Sequence, residues 1–285
     1  MATINLEAVK KYQEGTYRKR PELRITNPGQ ALNFINERGF IFLWPIQGVN
    51  LPSLWTEVAG DRPVPNQHDD PGHITWGWKD DALGKRIWYY AKVLRYKATF
   101  ISLEILPFFY ALSENYGSPE EDYLVEYAEG RLTLAEKQVY EALLKNGPMH
   151  TIDLREAAHM TNPSSSAQFD RALARLQASF KILPTGVAEA GTWRYAFIYD
   201  ITARHFTALP EEARRISEAE ARQRLVELYV TSVGATRRRD VVHLFGWPAE
   251  LAQRTIRHLE QSGFLAPASH PKQSGDWIAL PSLCS

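Results

Sequence analysis

The chain has 285 residues, enough for two or three small domains with cores of their own. Hydrophobic residues make up 44% and charged ones 23%, an ordinary globular balance, and no apolar run approaches the roughly 18 residues of a membrane span. Basic and acidic residues balance at 33 each, so no net field draws the chain to a polyanion, and the single Cys284 excludes an intrachain disulfide or a multi-cysteine metal site.

In chain order, Leu6 to Gln13 reads as a helix, followed by the basic linker Arg18-Lys-Arg-Pro-Glu-Leu-Arg24. Pro28 opens a second helix through Leu32, Phe34 and Ile35 that stops at Gly39, and Phe40 to Leu43 then reads as a buried strand. Helix, glycine and strand in that order suit the end of a winged helix. The stretch continues through Trp44 and a Gln47-Gly48 turn to Leu54-Trp55, broken by Pro45 and Pro52, and reads either as core packing or as one wall of a binding site. His68, Asp69, Asp70 and His73 follow within six residues. They admit a metal site, a polar loop at a pocket edge, or a solvated loop. Pro71-Gly72 makes a turn and no further ligand pattern appears, so no metal is expected. Trp76 and Trp78 alternate as in a strand. From Leu83 a helix is expected, with Ile87, Tyr90 and Leu94 on one side and Lys85, Arg86, Lys92, Arg95 and Lys97 on the other, as at the edge of a nucleic-acid cleft.

Residues 112–130 carry six acids and no lysine or arginine, and read as an acidic linker. Two segments beyond it then follow one plan. Thr133-Leu-Ala-Glu136 and Ser217-Glu-Ala-Glu220 fit the capping box that opens a helix, and each helix stops at a glycine, Gly147 or Gly234. Six residues later Asp153-Leu154 or Asp240-Val241 begins a short helix, and a turn leads to a third helix bearing Phe169, Leu173 and Leu176 or Leu251, Ile256 and Leu259. Strands are expected at Lys181–Leu183 and Thr192–Tyr199 in one copy, and at Gly263–Leu265 and Asp276–Leu280 in the other. Three helices and a two-stranded wing make a winged-helix domain, whose third helix enters the major groove in DNA readers. Arg171 and Arg175, Arg254 and Arg257 lie on the exposed side of these helices, and Arg237, Arg238 and Arg239 start the second helix of the later copy. They read as DNA contacts, or as solvated arginines if the modules bind protein. The fold expected is α+β, mainly α, with three tandem winged-helix units over residues 1–112, 132–208 and 209–285 and the acidic linker over 113–131.

Arg38-Gly39 with its apolar strand, Leu54-Trp55-Thr56, Ala98-Thr-Phe-Ile-Ser-Leu-Glu-Ile-Leu-Pro107, and Gly234 through Leu244-Phe-Gly-Trp-Pro248 together resemble the AlkZ-like DNA glycosylases. That family excises alkylated bases and unhooks interstrand crosslinks. The resemblance implies winged helices around a duplex groove and hydrolysis of the glycosidic bond without metal, cofactor or lyase lysine. The family's Gln-x-Gln or Gln-x-Asp motif falls on Phe42 and Trp44, and its His-Glu pair on Tyr96-Lys97. An amide or carboxylate can hold a water, whereas an aromatic face offers a cationic base only a π surface. The resemblance therefore implies a divergent member in which Gln47, Asp69 and Asp70 are the candidates to position water, with Glu57 and Asp61 also near in sequence. Phe42, Trp44, Trp55, His68, His73, Trp76 and Trp78 are the candidates to line a pocket. Double-stranded, damaged DNA is the expected partner of a monomer, and the cytoplasm its expected compartment because disulfides and a signal-peptide core are lacking. A non-catalytic regulator or lesion sensor, and a protein-interaction module, are the alternatives.

Overall fold

The computed structural model describes residues 2–67, 69–191 and 194–285. Three small sheets, each wrapped by helices, give an α+β architecture that is mainly helical and built of winged-helix units. The first segment contains β1 (Ala2–Thr3), α1 (Leu6–Thr16), α2 (Pro28–Arg38), β2 (Phe40–Phe42), α3 (Leu54–Ala59), α4 (Ile74–Ala82), β3 (Tyr89–Lys92), β4 (Ala98–Ile101) and α5 (Leu106–Tyr110). Asn27 caps α2 through its side chain, and Gly39 closes it at φ 77°. A Cβ at Gly39 would stand 2.8 Å from Leu228 Cδ1, so the helix end requires glycine for close packing as well as for its dihedral. β4 lies between β2 and β3, pairing antiparallel with both: Phe40 with Ile101, and Tyr90 with Phe100.

Two expectations here are corrected. Trp76 and Trp78 lie on the helix α4, because the 3₁₀ turn Pro71–His73 leads directly into it. No helix runs from Leu83 to Lys97. Gly84 (φ 78°) and Arg86 (φ 53°) break the chain there, and Tyr89 to Lys92 pairs with β4 instead. The apolar set Ile87, Tyr90 and Leu94 fits a helical stripe in the sequence, yet β4 draws Tyr90 into a strand, Ile87 precedes it and Leu94 lies in the turn after it.

The acidic stretch folds rather than linking: α6 (Asp122–Ala128) packs Tyr123 against Tyr140 at 5.0 Å, and Glu126 pairs with the nearly buried Lys181. The second segment runs α7 (Leu134–Asn146), β5 (Met149–His150), α8 (Thr151–Ala157), α9 (Ser166–Ala178), β6 (Ile182–Ala188) and β7 (Ala196–Ile201). After the short α10 (Thr202–His205) and α11 (Leu209–Arg214), the third repeats that order with α12 (Glu218–Val233), β8 (Ala235–Arg237), α13 (Arg238–Phe245), α14 (Ala249–Gln261), β9 (Ala266–His270) and β10 (Gln273–Ala279). The capping box at α7 closes in both directions, while Ser217 caps α12 through Glu220 N at 3.2 Å. The wings start later than the sequence suggests: Lys181 and Gly263–Leu265 precede their strands, and the expected start at Thr192 lies outside the described residues.

The chain's beginning joins its end. β1 pairs parallel with β9, Tyr12 donates to Thr231 O at 2.6 Å, and Gln13 donates to Val233 O at 2.8 Å. One apolar core draws Phe40, Tyr89 and Ile101 from the first sheet, Phe180 and Leu183 from the second segment, and Leu225, Tyr229 and Ile256 from the third. The three sheets therefore surround a shared interior.

Candidate functional site

The strand β2 carries Phe42 inward. It is fully buried in the shared core, its N–H donates to Pro52 O at 3.0 Å, and its Cα partner in β4 is Thr99. Leu43 N then donates to Ala98 O, so the chain leaves β2 beside the Tyr96-Lys97 turn. Trp44 is half-buried on the other side of the strand and gathers a ring cluster: Trp55 at 6.4 Å, His73 edge-on at 5.6 Å and Trp76 edge-on at 6.2 Å. Four of the residues expected to line a pocket are thus brought together, by β2, α3 and the start of α4. Phe42 lies in the shared core, Trp78 in a separate core with Trp88 and Phe100, and His68 lies outside the described residues. The rings of the cluster pack on one another, His73 also meeting Trp76 edge-on at 6.5 Å. Gly72 lets the turn pass over Trp55, where a Cβ would stand 2.8 Å from the indole Nε1, and the Arg62 guanidinium covers that ring at 4.9 Å.

The candidate water-positioning residues lie at the periphery of this cluster. Gln47 is exposed on its turn, and Asp69 is exposed as well. Asp70 forms a two-pronged ion pair with Arg62 at 2.7 and 3.0 Å and caps Gly72 N at 2.8 Å; the Arg62 hydrogen bond holds its carboxyl below the usual range. Glu57 differs from all three. It is completely buried, neither carboxyl oxygen has a hydrogen-bond partner among the described residues, and burial pushes its carboxyl well above the ordinary value, against the pull of Lys19, Arg18 and Arg38. Among the described residues no three His, Cys, Asp or Glu side chains are grouped to hold a metal ion.

The nominated basic residues divide by pairing. Arg175 is bound to the buried Glu136 at 2.6 Å, Arg237 to Asp240 at 2.8 Å, and Arg238 to Glu260. Arg239 is 73% exposed and only 3.9 Å from Asp240. Lys85, Arg86, Arg171, Arg254 and Arg257 are exposed. Arg254 and Arg257 share the outer face of α14, whereas the far end of α9 is docked: Gln177 on it accepts from Lys92 N of β3 at 3.1 Å. Of the two equivalent third helices, α14 is the more available to a groove.

The structure also holds a feature that the sequence does not announce. A cavity of 620 Å³ opens where the three segments converge. It is walled by Phe109 near the end of α5, Phe180 after α9, Phe245 at the end of α13 and Trp247 between α13 and α14, with Tyr96 also lining it. Its residues are dispersed over about 150 positions of sequence, and only the Phe-Gly-Trp-Pro run carries a local signal.

A family model described as "AlkZ related" matches residues 25–246. Among solved structures, the DNA glycosylase AlkZ of Streptomyces sahachiroi superposes with a TM-score of 0.62, over 98% of this chain and 71% of that one, at 11% identity. At that identity the likeness is one of fold. No curated protein matches the chain.

Proposed function

The chain belongs to the AlkZ-related family, and on that premise we propose that it binds damaged duplex DNA without cleaving the glycosidic bond. Binding is supported by the outer face of α14, where Arg254 and Arg257 stand exposed on the helix that winged-helix readers place in the major groove. The observation that carries the absence of hydrolysis is the burial of Phe42. A strand position that would hold the attacking water is filled by a ring at zero exposure, and Trp44 two residues on is engaged with Trp55, His73 and Trp76. Neither side chain can accept a proton from water or steady a developing cationic sugar. Gln47 and Asp69 are exposed, Asp70 is committed to Arg62, and Glu57 is sealed from solvent.

Incubation of the purified protein with a duplex carrying N7-methylguanine tests both halves. The expected outcome is retention of the duplex at low salt with no free base released at stoichiometric protein. Release of base refutes the non-hydrolytic reading, and failure to retain any duplex refutes DNA binding and favours a protein partner. Internal pairing of Arg175, Arg237 and Arg238 makes that second reading specific, because it removes three of the nominated cations from the surface field.

A further inference from the structure

We propose that the outward face of α6 is a docking site that receives a basic amphipathic helix of another protein. The inference goes beyond DNA binding and does not depend on it. α6 turns polar side chains inward and apolar ones outward, the reverse of an ordinary amphipathic surface helix. Tyr123 and Glu126, three residues apart, are buried, the first against Tyr140 and the second on Lys181. Leu124, Val125 and Ala128 are exposed, and their spacings of three and four residues put them on one face. Leu124 is 43% and Val125 55% exposed. The chain then folds back, Glu126 O accepting from Arg131 N at 2.9 Å and from Leu132 N at 3.2 Å, and Leu134 opens α7 at 55% exposure. Exposed apolar residues scattered singly are ordinary, whereas a set grouped on one face and rimmed by polar groups marks an interaction site.

The rim fixes the sign of the partner. Glu120 and Glu121 are exposed just before α6 and enter no ion pair among the described residues, and Glu121 does not cap the helix with its side chain. The cations that follow are already committed, Arg131 to Glu114 and Glu129, and Lys137 to Glu141 at 2.5 Å. The loop that leads to the two free glutamates is held in place. The Asp122 carboxylate accepts from the backbone N–H groups of Tyr116, Gly117 and Ser118 at 2.7, 3.1 and 3.1 Å, and Arg214 donates to Tyr116 O at 3.0 Å. An apolar stripe rimmed by fixed carboxylates complements apolar residues flanked by lysine or arginine. Phosphates of a duplex are repelled by the same rim. A second copy docked through this face would set its acids against identical acids, because a two-fold contact is made by the same patch on both subunits. α6 is about two turns long, and a helix whose apolar residues recur at three and four positions matches that ridge. So small a patch suits a transient encounter.

The test uses the full chain and a fluorescein-labelled peptide of about 18 residues, with leucines at helical spacing and lysines elsewhere, read by fluorescence anisotropy. A second peptide carries glutamates in place of the lysines. Leu124→Ser with Val125→Ser removes the apolar contact, and Glu120→Gln with Glu121→Gln removes charge alone. All four positions are exposed, so both variants should melt with the parent. The lysine peptide is expected to bind the parent and the glutamate peptide to be refused. Affinity should fall about 10-fold or more in the serine variant. In the glutamine variant it should fall about 3- to 10-fold at low salt, with the difference closing at high salt. Duplex retention should stay within about 2-fold of the parent in both variants. No uptake of the lysine peptide, equal uptake of both peptides, or equal affinity in parent and serine variant overturns the site. Weakened duplex retention in either variant puts DNA on this face and overturns it too. Self-association of the parent that the serine variant abolishes, seen by sedimentation, makes the occupant a second copy and also refutes the proposal. A parent that takes up the lysine peptide as expected but retains no duplex supports this site while refuting the proposed function.

Discussion

Glu57 lies at zero exposure with both carboxyl oxygens unpartnered among the described residues. Burial raises its folded-state pKa well above the 4.5 expected of an unfolded chain, with Lys19, Arg18 and Arg38 opposing the shift. The sign of the consequence is fixed. Below about pH 4.5 both states hold the proton and the stability contribution is complete; as pH rises toward the folded-state value, the unfolded state releases its proton first and stability falls, by at most about 1.4 kcal/mol per pH unit. Glu57→Gln keeps the shape without the titration. It is expected to flatten that decline and to be the more stable of the two at pH 8, measured by urea unfolding between pH 4 and 8. Equal slopes for parent and variant would show that a cation compensates the carboxylate. The caps were legible, since Thr133, Glu136 and Ser217 act within four residues of chain. Glu57 was legible only as a carboxylate near the strand, because its desolvation depends on tertiary packing that also brings Arg18, Lys19 and Arg38 near it.

At the scale of elements, the wing β6–β7 is fastened to α4. Tyr195, just before β7, donates its hydroxyl to Asp80 at 2.9 Å and accepts from Lys79 Nζ at 2.9 Å. Lys79 is 1% exposed, pairs with Asp80 at 2.6 Å, and sits over Phe197 at 4.5 Å and Tyr90 at 5.4 Å. Desolvation lowers its pKa while Asp80 opposes the shift, so the ammonium depends on these partners to remain charged where it lies. Tyr195→Phe deletes one of two polar partners of a buried cation and is expected to cost about 1–3 kcal/mol in thermal or urea unfolding. Lys79→Met at the same site should cost less than Lys79→Ala, because the aromatic box keeps its filling. If Tyr195→Phe is neutral, Asp80 and the rings alone hold the lysine. None of this is legible in the sequence, for Trp76 and Trp78 alternate as in a strand and the wing's partner is more than a hundred residues away. The two-fold repeat was legible because capping residues, glycine stops and helical stripes are local, and the same helix–strand–helix–helix–strand–strand order appears in both copies.

Across the whole molecule the neutral net charge conceals a division between committed and available cations. Arg175, Arg237 and Arg238 are held by Glu136, Asp240 and Glu260, so their removal mainly leaves a carboxylate unpaired. Arg254 and Arg257 are exposed on one face of α14, and both were nominated from the sequence alongside the committed three. Helical periodicity distinguishes outward from inward positions but cannot say which outward charge meets a partner from another element. The two classes separate by salt. Each phosphate contact neutralised contributes about 0.9 to the negative slope of log K against log salt on duplex DNA. Arg254→Ala with Arg257→Ala is therefore expected to lower that slope by about 1.8 and to weaken binding similarly for different sequences, with little change in melting temperature. Arg238→Ala should do the reverse, changing the slope by less than about 0.5 while lowering stability, because its guanidinium already neutralises Glu260. Filter binding at several salt concentrations, beside thermal melts of the same variants, measures both quantities. A full loss of slope in Arg238→Ala with none in the double variant would move the duplex from α14 to the start of α13.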